Sequence, residues 1–153
     1  MHDKFIIYGP PASGKSTLLR TLPKFVDNCT SIDLELIESK ESRIALIQCL
    51  SGLDFKGPLF VGAADLAPKE FPPIFRVVTL LYNEKSQYIA RVARRIETNP
   101  NKANQNEEHL FACFTNALGK NPNWTHVDPV LFEDKHELMA QHVLQRLGIV
   151  KVA

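Results

Sequence analysis

The chain has 153 residues, one domain's worth, and is long enough to bury about two thirds of its unfolded surface without disulfide or metal staples. Hydrophobic residues at 44% and charged residues at 23% exclude disordered and fibrous classes, and a net charge of +1 argues against nucleic acid as the main partner. Cys29, Cys49 and Cys113 lack C-x-x-C spacing, which argues against a disulfide framework or zinc site and for a reducing compartment. No apolar run approaches the roughly 20 residues of a membrane span, and Met1-His2-Asp3-Lys4 carries no leader pattern. The expectation is a soluble, cytoplasmic protein with no membrane partner.

Lys4 to Tyr8 is a short apolar run suited to a buried strand, and Ser16 to Leu22 reads as a helix ended near Pro23. Between them, Gly9-Pro10-Pro11-Ala12-Ser13-Gly14-Lys15-Ser16-Thr17 fits the whole pattern G-x-x-x-x-G-K-[ST]. Gly9 and Gly14 permit conformations a Cβ would forbid, so successive N–H groups can turn inward around a phosphate. The loop opens a helix, whose unpaired N–H groups and dipole add attraction. Lys15 brings a full charge to the β and γ phosphates, and Ser16 suits Mg²⁺. The expected ligand is a nucleoside triphosphate; the alternative is a plain glycine turn.

Cys29 to Ile32 reads as a short strand ending at Asp33. Open parallel sheets bind ligands at the carboxyl ends of their strands, so Asp33, and with it Glu35, can face a γ phosphate and an acceptor. Asp33 also fits an N-cap, and both readings can hold together. From Glu35 to Leu50 the apolar residues Leu36, Ile37, Ile44, Leu46, Ile47 and Leu50 form a helical pattern interrupted at Ser39 to Ser42. Leu59 to Gly62 is the third strand. Asp65 after it can hold Mg²⁺ through water, or simply serve a turn.

Pro68, Pro72 and Pro73 mark a stiff loop before Phe75 to Tyr82, the clearest strand in the chain. Asn83 can cap the following helix, whose buried stripe is Tyr88 or Ile89, Val92, Ala93 and Ile96. Arg91, Arg94 and Arg95 fall on another face and can converge on one patch that stabilises a transferring phosphoryl group, or form a solvated basic face. Thr98 to Asn106 is polar and asparagine-rich: a closing loop or an exposed linker. Glu107 to Leu118 offers a helix stripe of Leu110, Phe111, Phe114 and Leu118. Trp124 to Val127 reads as the last strand, followed by a loop able to contact a base. Glu133 to Leu147 is the terminal helix, with Leu138, Met139, Val143, Leu144 and Leu147 inward and Gly148 as its stop. His136 and His142 do not share a helical face, so no protein metal site follows from them.

This order of elements around Gly9 to Thr17 resembles the small P-loop kinases, among them adenylate, shikimate and gluconate kinase, over almost the whole chain. The phosphate loop is its one highly specific motif. The resemblance implies an α/β, three-layer P-loop NTPase fold, a five-stranded parallel sheet flanked by helices, as a single domain over 1–153. It also implies phosphoryl transfer dependent on ATP and Mg²⁺ to a small-molecule acceptor, by a monomer or homodimer. Lys15, Asp33, Arg91, Arg94 and Arg95 become the catalytic set, Ser16, Asp33 and Asp65 the metal set, and about 94–108 the lid. The chain departs from its relatives in the segment about 34–56, which is short for acceptor binding and has Arg43 as its only arginine. The glycine-rich acceptor loop of shikimate kinase is absent after Leu59, and Asn83-Glu84-Lys85-Ser86 is not a guanine-reading motif. A polynucleotide 5′ kinase and a slow or non-catalytic ATP-binding switch or assembly protein are the other readings.

Overall fold

In the computed structural model, which describes residues 4–9, 13–64, 66, 68–82, 84–98, 124–132 and 135–149, five short strands pair side by side. They are β1 (Lys4–Tyr8), β2 (Thr30–Asp33), β3 (Leu59–Ala63), β4 (Arg76–Leu80) and β5 (Thr125–Val127). Their order is β2-β3-β1-β4-β5, and every pairing is parallel. Ile6 stands beside Val61 on one side and Val77 on the other. β1 and β3 are buried at every position, which is why they read as unbroken apolar runs. A parallel sheet has helices on both faces and leaves no position for an outward polar residue at its centre.

Among the described residues the α-helices are α1 (Lys15–Thr21), α2 (Lys40–Gly52), α3 (Lys85–Thr98) and α4 (His136–Arg146). Alternation along β1 divides the core. Phe5 and Ile7 point to one face and pack with Leu18, Leu19 and Leu22 from α1 and its end, and with Met139, Val143 and Leu144 of α4. Ile6 and Tyr8 point to the other face, with Leu34, Ile47, Leu50, Leu66 and Phe75. The result is the expected three-layer α/β arrangement. No described helix is long and apolar enough to cross a membrane.

All five strands lie where the sequence predicts, within a residue or two, but details of the helices differ. The break in the second helical region falls at 37–39, not at Ser39 to Ser42. Ser39 is the N-cap of α2, its Oγ accepting from the Ser42 N–H at 2.9 Å, because a serine at that position satisfies an otherwise orphaned helix N–H. Before the break, Leu34–Leu36 forms a single 3-10 turn that buries Leu34 and leaves Leu36 83% exposed. On α3, Tyr88 and Val92 are buried while Ile89 and Ala93 are exposed. α4 begins at His136 rather than Glu133, and Leu138 is exposed because the buried stripe runs Met139, Ala140, Val143, Leu144 and Leu147. The predicted helix over 107–118 lies outside the described residues.

Two helix ends are tied down by specific contacts. Gly148 takes φ +74°; the Ile149 N–H donates to Leu144 O at 2.9 Å and the Gly148 N–H to Gln145 O at 3.1 Å, a Schellman stop for α4. At the end of α2, the ammonium of buried Lys4 donates to the carbonyls of Leu50, Ser51 and Leu53 at 2.8, 2.8 and 2.6 Å. A cation at a helix C-terminus meets both the unpaired carbonyls and the negative end of the dipole.

Candidate active site

Where β1 ends, the Gly9 N–H donates to Ala63 O at 3.2 Å, and the chain then doubles back toward α1. A Cβ on Gly9 would sit 2.6 Å from Ser13 Oγ and 3.2 Å from Leu80 Cβ, so no side chain fits between strand and loop. Gly14 takes φ +86°, the left-handed conformation that starts the helix. Ser13 is buried, and its Oγ has no hydrogen-bond partner. The first intrahelical bond, Leu18 N–H to Gly14 O at 2.9 Å, leaves the N–H groups of Lys15, Ser16 and Thr17 without helical acceptors. Pro10, Pro11 and Ala12 lie outside the described residues.

Beyond the loop, β2 and the 3-10 turn after it deliver two carboxylates, Asp33 and Glu35. Ser16 Oγ donates to Asp33 Oδ2 at 2.9 Å, and the other oxygen, Asp33 Oδ1, accepts the Glu35 N–H at 3.0 Å. Asp33 is therefore both the N-cap of the 3-10 turn and a partner of the loop, as the two readings of this residue allowed. Glu35 is the residue whose part the sequence reading left open: its Oε1 lies 2.8 Å from Lys15 Nζ. Lys15 is 3% exposed, Glu35 35% exposed, and the ammonium also donates to Gly9 O at 3.4 Å. Gly62 lies beneath this site. A Cβ there would lie 2.5 Å from Leu19 Cδ1 and 3.5 Å from both Asp33 Oδ1 and Lys15 Cδ.

The carboxyl edge of the sheet thus carries an ammonium–carboxylate pair, Lys15 with Glu35, beside a hydroxyl–carboxylate pair, Ser16 with Asp33. A serine hydroxyl and a carboxylate oxygen at 2.9 Å are hard oxygen donors of the kind Mg²⁺ takes when water and phosphate complete its shell. Among the described residues no three His, Cys, Asp or Glu gather into a metal cage. A donor set this small suits a cation that arrives with a phosphate. Asp65 lies outside the described residues.

Arg91 is half-buried and Arg94 exposed on α3, each with contacts of its own. The Arg95 side chain lies outside the described residues, as do residues 99–108 of the lid-like segment. Arg43 is used by the backbone: its Nε donates to Ile37 O at 2.8 Å and its Nη2 to Glu38 O at 3.0 Å, clamping the 3-10 turn to α2. Thr17 looks the other way, into an open cleft of about 550 Å³ lined also by Arg20, Thr21 and Lys24 of the first helical segment and by Lys135, His136, Glu137 and Leu138 at the start of α4.

A strand, a glycine loop closing on a buried lysine, a helix and a neighbouring strand ending in an acid, set in a parallel β2-β3-β1-β4-β5 sheet, define the P-loop kinase type of fold. No family model and no curated protein matches the chain. Solved structures do. The tunicamycin resistance protein of Deinococcus radiodurans superposes with a TM-score of 0.64 at 15% identity, over 100% of this chain and 99% of that one. Shikimate kinase from Bacteroides thetaiotaomicron gives 0.58 at 16% identity, over 95% and 98%. The mouse sulfotransferase SULT7A1, solved with PAP, gives 0.65 at 11% identity; the chain spans only 61% of its length. At such identities the likeness is one of fold, and the expected fold class holds.

Proposed function

We propose that this chain is an ATP- and Mg²⁺-dependent cytoplasmic kinase that moves the γ phosphoryl group to a small acceptor, a nucleotide, nucleoside or hydroxyl metabolite. The observation that carries the reading is the meeting of Lys15, Ser16, Asp33 and Glu35 at the mouth of the loop. The loop N–H groups and Lys15 hold the phosphates and draw charge from the leaving oxygen. Ser16 and Asp33 would hold the metal, with Asp65 as a further candidate ligand. Bound Mg²⁺ supplies charge neutralisation at the phosphate oxygens. Asp33 is the carboxylate assigned to the metal, and Glu35, whose Oε1 pairs with Lys15, is the second carboxylate at hand to take an acceptor's hydroxyl proton. Arg91, Arg94 and Arg95 are the groups assigned to the transferring phosphoryl, with about 94–108 as the lid and about 34–56 as the acceptor segment of a single domain. The cleft beside Thr17 takes the nucleoside.

Positioning and electrostatics do nearly all the work in such a reaction, so the test is product formation. γ-Labelled ATP is offered with a panel of nucleoside monophosphates, deoxynucleosides, shikimate, gluconate and oligonucleotides. A magnesium-dependent labelled product, lost in Lys15→Ala, is the expected outcome. Tight ATP binding with no product across the panel would favour the switch reading, and a labelled oligonucleotide end the polynucleotide one.

A further inference from the structure

We infer that Glu35 and the donor's phosphate chain contend for the ammonium of Lys15, so that filling the loop releases Glu35 toward the acceptor and places donor binding before acceptor activation. This rests on the kinase reading above and adds to it a device for ordering the two substrates. Lys15 is 3% exposed, and its ammonium has Glu35 Oε1 at 2.8 Å and Gly9 O at 3.4 Å as partners. An ammonium has three N–H donors, so hydrogen-bond count alone would let carboxylate and phosphate stay together. Charge does not. A carboxylate held beside a polyphosphate on one shared cation repels it at short range in a poorly solvated site.

The side that yields is set by how each group is anchored. The Glu35 backbone is fixed, its N–H bonded to Asp33 Oδ1 at 3.0 Å and its neighbour Leu34 buried in the core. The Glu35 side chain is 35% exposed and can swing to water by rotation alone. Lys15 has no such freedom. While Glu35 is paired with Lys15, its carboxylate is turned to the loop; once displaced, it is free to meet the acceptor. The acidic turn is thus a sensor of loop occupancy as well as a wall of the site.

The experiment is calorimetric titration of Mg·ADP and of inorganic tripolyphosphate into wild type and Glu35→Gln, which keeps the side chain's size and removes its charge. The expected result is roughly fivefold or more tighter binding of both ligands by the variant, by a similar factor, together with a fall in turnover. A merely structural Glu35 would leave binding unchanged or weaken it. Unchanged or weaker binding in a Glu35→Gln that is folded by circular dichroism overturns the inference while leaving the kinase reading intact. If Glu35→Gln does not fold, Glu35→Asp decides: its shorter side chain retreats from Lys15, and tighter binding supports competition while unchanged binding overturns it. Wild type that binds neither ligand overturns both readings.

Discussion

Lys15→Met and Glu35→Gln break one ion pair from opposite ends, and the two variants should differ sharply in stability. Methionine removes the buried ammonium and leaves a carboxylate that is 35% exposed and can turn to water. The attraction lost is that of a half-exposed pair, and the relief of burying a charge offsets it, so stability should stay within about 1 kcal/mol of wild type. Glutamine instead strands an ammonium that is 3% exposed, with Gly9 O at 3.4 Å its one other partner among the described residues, and the amide oxygen to satisfy it. Removing one partner of a fully buried pair costs about 3–5 kcal/mol; with one side open to solvent and an amide acceptor retained, about 1–2 kcal/mol is expected. At roughly 2–4 °C per kcal/mol for a domain of this size, Glu35→Gln should melt about 2–8 °C low and Lys15→Met within about 4 °C of wild type. Calorimetric melts with and without tripolyphosphate measure both, and the ligand should restore Glu35→Gln far more than Lys15→Met. Lys15→Met melting as low as Glu35→Gln, or lower, would refute the reasoning, because the ammonium would then be a structural anchor.

Gly62→Ala places a methyl 2.5 Å from Leu19 Cδ1, and with Leu19 in the core the overpacking should lower stability by about 1–3 kcal/mol in urea unfolding. Lys4→Met leaves the carbonyls of Leu50, Ser51 and Leu53 without their shared donor; a loss of about 2 kcal/mol with an unchanged urea slope is expected. His126 and His142 both titrate below their ordinary 6.5, first because burial disfavours the imidazolium and then because Arg146 repels it. The unfolded chain therefore binds protons that the folded chain refuses. Stability should be full above pH 6.5 and fall as pH drops through the lowered values, and replacing both histidines by glutamine should flatten that slope.

What was legible in the sequence is what backbone geometry and strand burial write locally. Gly9 and Gly14 are demanded by a loop too tight for a Cβ and a left-handed start to α1, so the motif is complete in sequence. β1, β3 and β4 are buried on both faces and show as apolar runs; Asp33 shows as the acid that ends its strand. The Lys15–Glu35 pair could not be read this way. It joins residues of different elements, and no periodicity marks it; the only signal was an acid two residues after Asp33 at a strand's carboxyl end. Leu36 and Leu138 misled for a related reason: a helical count of apolar residues assumes a continuous helix, whereas Leu36 sits in a lone 3-10 turn and Leu138 lies beside the stripe of α4. Arg43 stood out as the one arginine of the short acceptor segment, yet its guanidinium holds backbone carbonyls.

Lys4 sits on the strand that launches the phosphate loop, and through it the far end of α2 is riveted to that strand. Arg43 pins the near end to the turn carrying Glu35. Both ends of α2 are thus tied to elements that carry the site. The helix is a template pinned at two points, and an acceptor on that side would be chosen by whether its outline matches a contour already cast rather than by a surface that moulds itself around the guest.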